Sequence, residues 1–339
     1  MGRRHRTKVN SFQLLSKEYS MKENRRLFIA VDGSEQSFEA VRYASQVLPP
    51  GKLKVVFFHV KSKIPESFWD IEKDPSFRHR LAPVAAWAMQ QDKAMEEFME
   101  RCRQLLVDRG VSQKAVQVKI QDREVGIARD IAREAQKGYD AVVVGRWGMS
   151  KIKDLVWGSI ANKLVGHLVH SPLWVVGGSP QPGKYLLAMD GSDEAMRAVD
   201  YVGSMLAGSD CEVTLFHVLR SFEFLSLGFE GAFVPGPAVL GGEEVKAEFQ
   251  RAEEAIKTMC NEAIDRLEKA GLKRDQINTK IVTGAASRAQ AIAEEAKNEG
   301  YGTIVVGRRG LSRVEEFFMG RVSSKVIQLA KEMAVWVIG

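Results

Sequence analysis

The sequence predicts an α/β protein of two tandem domains, each a doubly wound, five-stranded, mostly parallel sheet. Three observations carry that prediction. At 339 residues the chain is long for one core and suits two domains of roughly 150 residues each. The chain is also written twice: "LFIAVDGSEQSFEAVRYASQVL" from residue 27 is answered by "YLLAMDGSDEAMRAVDYVGSML" from residue 185, so that Asp32 falls on Asp190. Within each copy, short β-branched apolar runs alternate with longer segments whose apolar residues recur three and four apart, the signature of strands buried on both faces between helices.

The repeat continues in order. "VVFFHV" is answered by "VTLFHV", "YDAVVVGRWGMS" by "YGTIVVGRRGLS", and "LWVVG" by "VWVIG" at the end of the chain. In copy one the strands are read as "LFIAVD", "KVVFFHV", "VQVKI", "AVVVG" and "LWVVG". The first helix is read as "SEQSFEAVRYASQVL", with Ser34 as its N-cap. The helix after the fourth strand is read as "SIANKLVGHLV". Two stretches interrupt the period, 61–83 and 219–242. They are rich in Pro, Gly and aromatics, and their place after a strand's C-terminal end suits a lid over a ligand cleft as well as a surface loop burying its own aromatics. The domain reading is a basic tail over 1–24, domain one over 25–178 and domain two over 179–339.

The net charge is +6, yet the first 24 residues hold six basic residues against Glu18 and Glu23, so most of the excess lies in the tail. The folded part is nearly balanced, which argues against nucleic acid as a partner. The tail has no apolar central run and does not read as a secretory signal, and Met21 before "KENRRLFIAVDGS" would make a natural start. No apolar run approaches the length of a membrane span. Three cysteines, Cys102, Cys211 and Cys260, are widely spaced and form no CxxC pair, which points to a reducing cytoplasm.

Two nucleotide signatures fail. "GSPQPGKY" matches G-x-x-x-x-G-K, but Tyr185 stands where Ser or Thr should hold magnesium, Pro180 and Pro182 remove N–H donors, and a strand follows; it reads as the linker between copies. The dinucleotide pattern G-x-G-x-x-G does not occur, nor do HExxH, G-x-S-x-G or a Cys/His cluster. What remains in copy one is G-x-x-G-x9-G-S: Gly145, Gly148, Gly158 and Ser159, directly after a strand. Such a loop, opening onto a helix N-terminus, suits a phosphate cradle and equally suits simple turn chemistry. Asp32, Gly33 and Ser34 end the first strand, where a carboxylate suits a ribose hydroxyl or an adenine edge, or merely the capping of the next helix.

Strand-D-G-S, "HV" ending the second strand, G-x-x-G-x9-G-[ST] after the fourth and a last apolar strand recur in order, and in this the chain resembles the universal stress protein family twice over from about residue 25. The resemblance implies a fold related to the adenine-nucleotide α-hydrolase-like group, in a protein with a stress-response or regulatory role. It implies binding of ATP, ADP or AMP, with Mg accompanying ATP. Carried onto copy one, it places Asp32 at the adenosine moiety and the backbone of Val60 at the adenine edge. It places Gly145 and Gly148 against ribose and phosphates, and Gly158, Ser159 and the N–H of Ile160 on the phosphate tail. Arg146 and Lys151 lie in the same loop, where they could neutralise phosphate or form a solvated basic surface. In copy two the matching positions are Asp190, Val218, Gly307, Gly310, Gly320, Arg321 and Val322, and Arg321 for Ser159 is the departure: a guanidinium there grips a phosphate or fills its pocket. The repeating His59 and His217 read as strand-end filler. No nucleophile stands beside a base, so a binding protein is expected before a slow ATPase or a ligand-free interaction module. In the family the last strand pairs with its twin; "LWVVG" and "VWVIG" are expected to do so within one chain, as a pseudo-two-fold pair, and a homodimer through other surfaces stays open.

Overall fold

The computed structural model describes residues 24–61, 78–148, 158–219, 242–310 and 319–339. The expected lid stretches fall largely on 62–77 and 220–241, Lys151 on 149–157, and the basic tail on 1–23, all outside the described residues.

The chain divides into two compact units, one over Asn24–Gly178 and one containing Ser179–Gly339. In the first, the strands are β1 (Arg25–Ala30), β2 (Leu53–Lys61), β3 (Val116–Asp122), β4 (Ala141–Gly145) and β5 (Leu173–Val176). Their order across the sheet is β3-β2-β1-β4-β5, and every pairing is parallel. The second unit repeats this with β6 (Lys184–Met189), β7 (Glu212–Val218), β8 (Ile277–Val282), β9 (Thr303–Gly307) and β10 (Ala334–Ile338), in the order β8-β7-β6-β9-β10. The expected strands are all present, and within each unit the sheet is wholly parallel.

Helices α1 (Glu35–Val47), α2 (Arg78–Asp108), α3 (Ile127–Ala135) and α4 (Ser159–His167) belong to the first unit. Helix α1 packs on β1, β4 and β5 with α2 beside it, whereas α3 packs on β2 and against α4. The second unit has α5 (Asp193–Leu206), α6 (Gly242–Ala270), α7 (Arg288–Asn298) and α8 (Arg321–Leu329) in the same places. Helix α2 starts at Arg78, inside the stretch read as an insertion, because helical propensity resumes before the loop composition ends.

Burial on both faces explains the apolar runs. Leu27, Phe28, Ile29, Ala141, Val142, Val143 and Trp174 are fully buried, and Tyr43 of α1 meets Trp174 edge-on at 6.2 Å. The edge strands β3 and β8 are buried only at their first residues, Val116 and Ile277, and are half-buried or exposed beyond them. Ser34 caps α1 as expected, accepting from the N–H of Ser37 at 3.1 Å, and Ser192 caps α5 by accepting from Ala195 at 3.2 Å. Helix α3 starts on glycine and is capped from within, since the Asp130 carboxylate accepts from the N–H groups of Glu124, Val125 and Gly126 at 2.9, 3.2 and 3.3 Å.

A charged cluster ties α3 to the sheet. Glu134 accepts from Lys119, from Lys137 at 2.9 Å and from the Tyr139 hydroxyl at 3.0 Å, while Arg26 lies 4.3 Å from the Tyr139 ring centroid. Burial by itself would raise the Glu134 pKa, but the hydrogen bonds from Lys119, Lys137 and Tyr139 outweigh it and hold the carboxyl below its ordinary range.

Candidate functional site

The strand order reverses between β1 and β4, because the chain winds outward through β2 and β3 and then returns to β4 on the other side of β1. In an open parallel sheet this switch point leaves a crevice at the C-terminal strand ends, where the connecting segments part to opposite faces. Asp32 follows β1 and the glycine loop follows β4, so both D-G-S and G-x-x-G open onto that crevice.

The two motifs touch. A Cβ on Gly148 would stand 2.6 Å from Asp32 Oδ2, so only glycine lets the loop lie against the carboxylate. The other oxygen, Oδ1, accepts from the Ser34 hydroxyl at 2.6 Å and from the Ser34 N–H at 3.0 Å, which fixes the carboxylate's orientation. Gly33 between them has φ +84°, a left-handed turn that L side chains rarely adopt. Ser34 therefore holds Asp32 and caps α1 at once. Asp190, Gly191 and Ser192 repeat the arrangement against Gly310 in copy two.

The remaining glycines have reasons internal to the fold. A Cβ on Gly145 would meet the Gln36 carbonyl oxygen at 3.0 Å, where α1 begins, and one on Gly158 would meet the Arg146 carbonyl oxygen at 2.8 Å. The N–H of Gly158 donates to that same oxygen at 2.8 Å, closing the loop neck, and Gly320 donates to Arg308 at the same distance in copy two. Packing and turn closure thus account for Gly145 and Gly158 without any ligand.

Helix α4 begins at Ser159, with Gly158 as an N-cap that supplies no side-chain hydrogen bond. Ser159 is therefore the first helical residue and not a cap, and it is exposed. The N–H groups of the first turn, that of Ile160 among them, lack the side-chain oxygen that Ser34 provides to α1, and their dipole favours an anion by about 0.3–1 kcal/mol. Arg146 is fully buried, not part of a solvated basic surface; its N–H donates to Val176 at 2.7 Å. On the other side of the crevice, Phe58 accepts from Val31 and Lys61 accepts from Arg123, so ladder alternation turns the Val60 backbone toward β1, at the level where that strand has ended. His59 is engaged structurally: Nδ1 sits 2.9 Å from the Val31 carbonyl oxygen, and His217 stands 2.8 Å from that of Met189. No group of His, Cys, Asp and Glu suited to a metal ion occurs among the described residues.

Copy two differs in its charges. Arg321 is exposed at the start of α8, so it does not fill a buried pocket. Arg308 is buried, which pulls its guanidinium pKa down, with Glu194 opposing that shift. Glu194, buried in the first turn of α5, accepts from the Arg309 N–H and, at 2.6 Å, from Arg309 Nε. This pair had no part in the sequence reading. The signal was there: Gln36 and Trp147 of copy one become Glu194 and Arg309 together, a matched change at two positions of the repeat.

The sequence model of the Universal stress protein family matches the chain twice, over residues 23–177 and 183–338. Universal stress protein YxiE of Bacillus subtilis is 32% identical over 148 residues, which is 43% of this chain and 93% of that protein. The solved structure of a universal stress protein from Archaeoglobus fulgidus superposes with a TM-score of 0.56 at 17% identity, covering 94% of this chain and 99% of the other. A universal stress protein structure from Pseudomonas aeruginosa gives 0.53 at 13% identity, with 94% of each chain covered. At those identities the structures speak for the fold. Two successive family matches that together span nearly the whole sequence settle the lineage: this chain belongs to the Universal stress protein family and carries its domain twice.

Proposed function

We propose that the protein binds an adenine nucleotide, ATP, ADP or AMP, in the switch-point crevice of copy one and serves a stress-response or regulatory role. The observation that carries the reading is the meeting of Asp32 and Gly148 at the C-terminal ends of β1 and β4, beside the α4 N-terminus that no side chain caps. The residues fit such a ligand. Asp32, oriented by Ser34, is an acceptor suited to ribose hydroxyls, and the Val60 backbone is suited to a base edge. The N–H groups at Ser159 and Ile160, with the Ser159 hydroxyl, are donors suited to phosphate. Mg would accompany ATP as part of the ligand. The glycines themselves weigh less, because two of the three are explained by packing. Family membership and the three buried cysteines favour a reducing cytoplasm as the setting.

The reading is one of binding, because the contact that carries it supplies an oriented acceptor, Asp32 held by Ser34. A thermal shift tests it: nucleotide at 100 times its Kd raises stability by about 2.7 kcal/mol. The shift should vanish in Asp32→Ala combined with Ser159→Arg. Absence of any shift in the wild-type protein with ATP, ADP and AMP would refute the proposal.

A further inference from the structure

The two loops differ where each meets the first turn of its unit's first helix, α1 or α5. In copy one, Gln36 Nε2 donates to the carbonyl oxygens of Val176 and Gly178, at 3.2 and 3.1 Å. The loop residue that matches Arg309 is Trp147, which brings no charge. In copy two the helix residue is Glu194, whose carboxylate accepts from both the Arg309 N–H and the Arg309 guanidinium, while Arg197 stands 3.3 Å away. Its side chain is 8% exposed. A backbone N–H and a cation in the very loop expected to face a phosphate are thus already satisfied by an anion that belongs to the protein.

Resting on the nucleotide reading of copy one, we infer that Glu194 is a built-in anion that occupies copy two's loop donors in place of a phosphate, so that the chain takes one nucleotide and takes it in copy one. Three physical effects act together. The Arg309 N–H is withdrawn from any ligand, and the guanidinium is neutralised internally by a charge-assisted pair. A phosphate entering there would have to displace the Glu194 carboxylate from Arg309 and from Arg197, which stands 3.3 Å away. Arg321 does not reverse this, since it is exposed in the first turn of α8 and is not paired with Glu194 in the structure. Specificity here is set by the pair 194 and 309, and the Ser-to-Arg change at 321 is secondary.

Calorimetric titration of the full chain with ATP reads the stoichiometry. The wild-type protein should take one ATP per chain, and Gly148→Leu should leave none. Glu194→Gln with Arg309→Trp, which gives copy two the residues of copy one, should raise the value to two with Arg321 unchanged. Glu194→Gln alone, an isosteric change, provides the second variant, and the melting temperature of each checks that it is folded. Two ATP per wild-type chain would overturn this inference and leave the nucleotide reading standing. So would a value of one that survives Gly148→Leu, or one that rises to two in Arg321→Ser but not in the Glu194 variants. No ATP in the wild type with one gained in the Glu194 variants would support Glu194 as the occupant of the loop donors and sink the copy-one reading; none in any variant would sink both.

Discussion

Gly148→Ala is the sharpest perturbation of the crevice, and its effect can be worked from geometry before any ligand is added. The new methyl would stand 2.6 Å from Asp32 Oδ2, and Cβ contacts under 3.0 Å essentially do not occur, so the carboxylate or the loop must retreat by at least 0.4 Å. The carboxylate is held by two bonds from Ser34, at 2.6 and 3.0 Å, and turning it off its rotamer costs about 0.5–1.5 kcal/mol while weakening those bonds. A net loss of about 0.5–1.5 kcal/mol is ordinary for such hydrogen bonds, and because Asp32 is half-exposed, water recovers part of it. The expected sum is about 1–2 kcal/mol, a fall in melting temperature of about 2–8 °C for a domain of this size. A double-mutant cycle isolates the cause: in an Asp32→Ala background the methyl meets no carboxylate, so Gly148→Ala should become nearly neutral. Chemical denaturation of the four proteins, with matched m-values, measures the coupling. An equal penalty in both backgrounds would show that the loop, and not the carboxylate, demands glycine, and the contact argued to bring the two motifs together would lose its energetic meaning.

Three other outcomes follow from the structure. The Glu134 and Asp130 pKa values are depressed in the folded state, so their stabilisation is present above the unfolded carboxyl values near 4 and is lost as pH falls through the folded ones; Glu134→Gln should flatten the decline of stability measured by urea unfolding below about pH 4.5. Gly166 lies in α4 with nothing within 4 Å of an added Cβ, so Gly166→Ala should raise stability by about 0.5–1 kcal/mol, and a loss would show that the helix end is not as described. Cys102, Cys211 and Cys260 are all buried, and burial pushes the Cys102 thiol up to about 12. A thiol reagent at neutral pH should therefore label none of the three until denaturant is added.

The D-G-S and glycine-loop motifs were legible as motifs, and Ser34 was legible as a cap, because a cap is formed by residues three apart and needs no tertiary knowledge. The roles of Gly145 and Gly158 were not separable in the sequence, where a phosphate cradle and a tight turn demand the same residue. The contact of Gly145 with the Gln36 carbonyl and the closure of Gly158 onto Arg146 were needed to tell them apart. Asp130 as an internal cap left no readable signal, since a single Asp in a helix's first turn is common and its copy-two counterpart is handled by Ser287.

By itself the sequence determined the twofold repeat, the ten strands and the parallel, doubly covered sheets. Those follow from periodicity and from burial on both strand faces, which local composition records. Only the tertiary structure decided what the strand ends bring together. Asp32 meets Gly148, and Glu194 meets Arg309 across 115 residues, because the crossover connections carry β4 and β9 back to the far side of β1 and β6. That juxtaposition is a property of chain winding, and no local pattern of side chains encodes which charge will close over which loop.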